Sequence, residues 1–156
     1  MSKAKIAAGV LALCIPVVTY FEGYIPYTYA DPISVPTACF GHTGPDVLPN
    51  KHWTRGECDE LLHGDLAIAN AHVNRCIPGP KTLWQEAALT SATFNAGPAI
   101  VCGSTLQRKA NAGDWAGACA ELSRWTYARG IQLRGLVKRR AAERALCESH
   151  GPQSTP

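Results

Sequence analysis

Charge is scarce in this chain. Only 17% of its 156 residues are Asp, Glu, Lys or Arg, while 46% are hydrophobic. A composition so apolar excludes an intrinsically disordered segment, and the lack of any internal period excludes a repeat array. The length suits one domain, which can bury roughly 70% of the surface its unfolded chain exposes. No C-x-x-C pair occurs and no cysteine stands at zinc-finger spacing from a histidine, so no metal site is expected. A polybasic arm is also missing, and no nucleic-acid partner is expected.

Two further scarcities concern the N-terminus. Sixteen residues from Ile6 to Phe21 carry no charge, after Lys3 and Lys5, which matches the basic and apolar regions of a secretion signal. A helix of that length rises about 24 Å, short of a hydrocarbon core of about 30 Å, and Ala, Gly, Thr and Pro16 dilute it further. An A-x-A cleavage site is absent; cutting at the nearest small residue before a polar one, Ala30, would remove Glu22. Two readings stand: the first buried helix of a soluble domain, or an uncleaved export signal that anchors weakly and later leaves the bilayer.

Cysteine, by contrast, is plentiful. Seven residues, at 14, 39, 58, 76, 102, 119 and 147, are many for a reduced cytosolic chain, and disulfides in an exported protein account for them better. The odd count leaves at least one thiol over. Cys14, inside the apolar run, is set apart by context, and the other six allow 15 connectivities. The net charge of +3 is uneven: residues 1–100 carry six Lys/Arg against eight Asp/Glu, and residues 101–156 carry nine against four. The basic second half favours an anionic partner such as a cell-wall polymer, phospholipid or nucleic acid, with an ordinary solvated helix face as the alternative reading.

Residues 23–46 place Gly, Pro and Asp among Tyr, Ile, Val, Thr and Phe, which predicts short strands and turns. Thr54, three residues before Glu57, is a capping-box signature, and the apolar spacing beyond it predicts a helix over 54–75. Pro78, Gly79 and Pro80 stop it. Further helices are expected at 82–95, 104–111, 114–127 and 133–148, with Ser104 and Asp114 as N-caps. The predicted fold class is α+β: a small β-containing N-terminal lobe, a long connecting helix and a helical C-terminal lobe, with a cleft between the lobes. Residues 1–21 form the apolar segment, 22–150 the domain and 151–156 a frayed tail.

Within "EGYIPYTYADPISVPTACFGHTG" stand two acids, Glu22 and Asp31. Glycoside hydrolysis needs one protonated carboxyl and one ionised carboxylate, about 5–9.5 Å apart. Nine residues of extended chain would separate them by about 30 Å, so the backbone must double back at Gly23, Pro26 and Pro32. Glu22 ends the apolar helix, where the helix dipole disfavours its ionised form and suits it to be the acid. Asp31 precedes Pro32 in a turn and should stay ionised, and the Thr37 hydroxyl can hold water against it.

The segment resembles the active-site region of phage-type lysozymes, glycoside hydrolase family 24. Their motif runs glutamate, eight residues, aspartate or cysteine, five residues, threonine, and Glu22, Asp31 and Thr37 match all three positions. "TACFGHTG" is similar to the family's T-x-G-x-G-H-T stretch, with Cys39 where glycine is usual. "FNAG", "STL", "NAGD", "RWTYARG" and "GLVKRRAAE" follow in family order, several of them as in lambdoid endolysins with signal-anchor-release N-termini.

The resemblance implies a lysozyme-like fold and cofactor-free hydrolysis of the β-1,4 bond between N-acetylmuramic acid and N-acetylglucosamine in peptidoglycan. It makes Glu22 the general acid, Asp31 its carboxylate partner and Thr37 the third member, and suggests inversion at the anomeric carbon. It also pairs His42 with Asp65. The alternative is a membrane-lesion or cell-wall-binding protein without hydrolytic activity, and a chitinase-like specificity is the rival among enzymes.

Asn95, at a helix end beside Gly97, is expected to bind substrate. Arg139 and Arg140 either face the substrate or pair with Glu143 along their helix. Trp125 reads as core before sugar platform, and His52, His63, His72 and His150 as solvated. A monomer is expected, exported from the host cytoplasm, tethered to the inner membrane through residues 6–21 and then periplasmic. In the tethered form Glu22 lies too near the bilayer to work. Release lets the helix pack and place it, and Cys14 can join by forming or exchanging a disulfide, Cys39 being one candidate partner.

Overall fold

The computed structural model describes residues 6–150; the predicted frayed tail at 151–156 lies outside them. The apolar run forms helix α1, Ala8–Glu22, with Pro16 inside it, and Gly23 at φ +71° closes it by donating its N–H to the Thr19 carbonyl. Among the described residues no helix is long and apolar enough to cross a membrane. Three short strands follow, β1 (Ile25–Ala30), β2 (Pro36–Cys39) and β3 (His42–Thr43), paired antiparallel in chain order.

Helix α2, Arg55–Cys76, begins at the predicted capping box: Thr54 Oγ1 accepts the Glu57 N–H while Glu57 accepts the Thr54 N–H. Thr82 and Gln85 repeat the device for α3, Leu83–Ala96. After a 3₁₀ turn at Pro98–Ile100 come α4 (Thr105–Asn111), capped by Ser104, and α5 (Trp115–Glu121), capped by Asp114. The final helix is α6, Arg134–Glu148.

One predicted helix is shorter than its pattern. The expected helix over 114–127 ends at Glu121, passes through a 3₁₀ turn at Leu122–Arg124, and gives way to a hairpin of β4 (Tyr127–Ala128) and β5 (Ile131–Gln132). The hairpin turn places Arg129 at φ +51° and Gly130 at φ +77°. Two consecutive positive-φ residues make the tight turn that suits a right-twisted pair of strands, and this local geometry overrides the helical spacing upstream.

Helix α3 is the axis of the molecule. Residues 87–93, Ala-Ala-Leu-Thr-Ser-Ala-Thr, are all buried, as befits a helix covered on every side. Their small size lets α1, α2 and α6 pack closely on it. One apolar cluster gathers Val10, Cys14 and Val18 of α1 with Ala38, Phe40, Leu62, Leu66 and Ala87. A second fills the C-terminal lobe around Val73, Leu89, Ile100, Leu106 and Leu122, with Trp125 packed on its edge in the core role expected for it.

The six paired cysteines resolve into Cys39–Cys58, Cys76–Cys102 and Cys119–Cys147, and Cys14 is the thiol left over. Each bridge restrains a loop of 19, 26 or 28 residues in the unfolded chain, an effect on the order of 3 kcal/mol apiece. They tie β2 to α2, the end of α2 to the loop after the 3₁₀ turn, and α5 to α6.

Candidate active site

The doubling back that two cooperating acids require is done by the β1–β2 hairpin. Tyr29 pairs with Thr37 and Ala30 with Pro36, with the turn at 31–35 between them. Asp31 organises that turn: its Oδ1 accepts the Ile33 N–H (2.9 Å) and the Val35 N–H (2.8 Å). Thr37 is buried and its hydroxyl donates to the Val35 carbonyl at 3.0 Å. Cross-strand partners project from the same face of a sheet, so the Tyr29 ring shares the Thr37 side. Burial, then Glu22, then Asp31 push the Tyr29 phenol above its ordinary value. Both acids therefore lie within electrostatic reach of one side chain.

Glu22 leaves α1 and lines a cleft of about 420 Å³ with Gly41 and Thr43 from the sheet region, Asp65, Ile68 and His72 from α2, and Thr93, Phe94 and Asn95 from α3. Its Oε1 accepts from Arg139 Nη1 at 2.5 Å. The helix terminus considered from sequence is thus only part of its surroundings, because a buried guanidinium is the nearer charge. Gly41 makes the other contact: a Cβ there would stand 3.1 Å from Glu22 Oε2, and its φ is +79°. Asp31 and Thr37 do not line this cleft.

The structure places Arg139 and Arg140 otherwise than facing a substrate. Their side chains are 4% and 1% exposed, and Glu143 between them is fully buried. The pairing with Glu143 suggested by sequence is present, but in the interior. Glu143 Oε1 accepts from Arg139 Nε (3.2 Å) and from the Ser91 hydroxyl (2.7 Å). Its Oε2 lies 2.9 Å from Arg140 Nε, close enough for an ion pair though not aligned as a hydrogen bond. Burial lifts Glu143 and lowers Arg140, and their mutual attraction opposes the shift in each. Arg140 Nη2 donates to Asn95 Oδ1. Asn95 lines the cleft as expected, and the two arginines reach it only through Glu22 and Asn95.

His42 binds Asp65 through Nδ1 (2.7 Å), as the resemblance implied, and Asp46 through Nε2 (3.1 Å), which sequence reading missed. Burial lowers its pKa, but hydrogen bonds to Asp65 and Asp46 outweigh it and the net direction is upward. Asp65 is raised, by its own burial first, despite the His42 bond. Both ring nitrogens face carboxylates, so the doubly protonated ring is the favoured form.

His72, expected to be solvated, is half-buried in the cleft wall, its Nδ1 accepting from Arg75 Nη2 at 2.8 Å. Gly41, Thr93 and Ser91 were also missed; the motifs "FGHTG" and "FNAG" were the signals beside them. Among the described residues no group of three or more His, Cys, Asp or Glu could hold a metal ion. Cys14 neighbours this network. Burial first, then Glu143, push its thiol up to about 12, and Cys39, once its candidate partner, is bonded to Cys58.

Comparison with known proteins fits this arrangement. The chain is 39% identical over 150 residues to a SAR-endolysin of Bacteriophage PS119, covering 92% of this chain and 90% of the relative. Its fold matches the active form of the P1 phage endolysin Lyz with a TM-score of 0.81 at 25% identity, covering 92% of this chain and 85% of that one. It matches the muramidase domain of SpmX from Asticaccaulis excentricus with a TM-score of 0.80 at 28% identity, over 94% and 98% of the two chains. The family profile described as phage lysozyme matches residues 19–143, from the end of α1 to Glu143, and the chain belongs to the phage lysozyme family.

Proposed function

We infer that the protein is an endolysin: a muramidase that hydrolyses the β-1,4 bond between N-acetylmuramic acid and N-acetylglucosamine in peptidoglycan. The observation that carries this reading is Glu22, delivered by the end of α1 into an open cleft and gripped there by a buried arginine. In the proposed chemistry Glu22 gives its proton to the leaving glycosidic oxygen. Asp31, with Oδ1 engaged by two backbone N–H groups, offers Oδ2 to a water. Thr37 donates to Val35, which leaves its lone pairs to accept from that water. Asn95 contacts the glycan from the cleft wall, and Arg139 and Arg140 act through Glu22 and Asn95. Inversion follows if a water fits between the carboxylates.

The domain assignment belongs to the same proposal. Residues 1–21 serve as an uncleaved export signal that tethers the chain to the inner membrane and then docks on the catalytic domain, which works as a periplasmic monomer. Support comes from the apolar run, from the burial of Val10, Cys14 and Val18 in the docked helix, and from the SAR-endolysin relatives.

The test is the chemistry of the products. Digesting purified peptidoglycan and reducing the new ends with borohydride should yield muramitol, while glucosaminitol as the main product would assign a different bond. Nuclear magnetic resonance of the first-formed anomer on a soluble oligosaccharide then reports inversion or retention.

A further inference from the structure

Glu143 and Ser91 do not reach the cleft, yet they sit at the centre of a buried ionic cluster that ends in it. One carboxylate holds two successive arginines, an oxygen for each: Oε1 accepts a hydrogen bond from Arg139 Nε at 3.2 Å, and Oε2 lies in an ion pair 2.9 Å from Arg140 Nε. A guanidinium is a rigid planar fork, so fixing Nε restricts where its Nη atoms point. Arg139 Nη1 points at Glu22 and Arg140 Nη2 at Asn95, the two cleft residues of the cluster. The Ser91 hydroxyl, from the central helix α3, donates to Glu143 Oε1 at 2.7 Å and seats the carboxylate.

We propose that Glu143, seated by Ser91, is a positioning residue that orients Arg139 and Arg140 so that they hold the Glu22 carboxylate and the Asn95 side chain in place at the cleft. The proposal rests on Glu22 being the acid.

Charge balance gives it a signature. Two carboxylates, Glu22 and Glu143, face two guanidinium groups, Arg139 and Arg140, in an interior where an unmatched charge is costly. Other ionisable groups around Glu22 are Tyr29 on β1, Cys14 on α1 near Glu143, Asp31 beyond β1, and Asp65 and His72 of α2 in the cleft lining. None of these supplies a third anion within the Arg139–Arg140 cluster. Replacing Glu143 with a neutral residue therefore leaves a surplus positive charge beside Glu22, which favours its ionised form, the form that cannot donate a proton.

The experiment measures reducing-end release from purified peptidoglycan as a function of pH for wild type, Glu143→Gln, Glu143→Asp, Ser91→Ala and Glu22→Gln, below the melting temperature of each. Glu143→Gln should slow turnover by about tenfold or more, in line with the sensitivity of catalysis to small displacements, and should move the alkaline limb to lower pH. Glu143→Asp keeps the charge but shortens the arm, so the limb should return toward the wild-type position while turnover stays low. Ser91→Ala removes a hydrogen bond that helps keep Glu143 ionised, so it should move both readouts in the direction of Glu143→Gln, by less.

A Glu143→Gln profile of wild-type shape, reduced only by the fraction unfolded, overturns the proposal, as does wild-type turnover in Glu143→Asp. If Glu143→Gln does not fold, Ser91→Ala decides: a moved limb with slower turnover supports the role, and an unmoved one overturns it. The acid reading fails separately, by Glu22→Gln retaining activity.

Discussion

At Gly41 the need for glycine is double. A positive φ of +79° strains any side chain, and a Cβ would press on Glu22 Oε2 at 3.1 Å. Gly41→Ala should cost about 1 kcal/mol of stability by the conformational term, but activity should fall about tenfold or more as Glu22 is displaced. Thermal unfolding and peptidoglycan turnover on the same sample check the split. His42 predicts a pH dependence. Its folded pKa is raised, so its contribution is complete below the unfolded value of about 6.5 and is lost as pH rises through the folded one. Asp46 is lowered, by its bond to His42 first, so its part is present above the ordinary aspartate value and fades as pH falls through the lowered one. Asp65 is raised, so its part also fades as pH rises. In His42→Gln the decline in melting temperature above neutral pH should flatten, and an unchanged slope would contradict the assignment. The cleft positions of Glu22 and Asn95 and the His42–Asp65 pair were legible in sequence through the motifs. Their surroundings were not, since Arg139 meets Glu22 across 117 positions of chain and no local pattern encodes such a contact.

Among the elements, β2 shows why the family's usual glycine matters. Cys39 stands at φ +60°, the left-handed region where glycine is at ease, and it bonds Cys58 on α2. Cys39→Ser loses the disulfide and keeps the strained backbone, whereas Cys39→Gly loses the disulfide and relieves it. Both should melt below wild type, with the glycine variant about 1 kcal/mol the more stable, a ranking that denaturant titration reads directly. Helix α1 offers a second check. With Cys14 buried and its thiol pushed up to about 12, thiolate is nearly absent and access is closed. Alkylation should be slow in the native protein and fast in denaturant, and rapid native labelling would mean that α1 leaves its seat readily. The capping box at Thr54 made the start of α2 readable because capping is local chemistry, whereas the equivalent box at Thr82 was seen only in the structure. The β4–β5 hairpin escaped because two-residue strands carry too little alternation to compete with a helical pattern beside them.

For the whole molecule, the α+β plan with a β-containing lobe, a long helix and a helical lobe was legible from punctuation and apolar spacing. The centrality of α3 was less so, since the hydroxyl residues Thr90, Ser91 and Thr93 are all buried and nothing in their local sequence encodes that burial. The protein then works, on this account, because α1 is both the apolar N-terminal segment and the carrier of the acid. Its inner face packs against the domain through Val10, Cys14 and Val18, and its last residue enters the cleft. Removing that packing with Val18→Asp should lower activity together with stability, since it buries a charge without a partner.

The measurement that tests the central claim most directly is turbidity loss of outer-membrane-permeabilised Gram-negative cells with wild type and Glu22→Gln at matched folded concentration. The account predicts clearing by the wild type and a loss of about a thousandfold in the variant, the scale of general acid catalysis. Equal clearing by both proteins would contradict it and would turn attention to α1 and the basic C-terminal half as membrane-active elements.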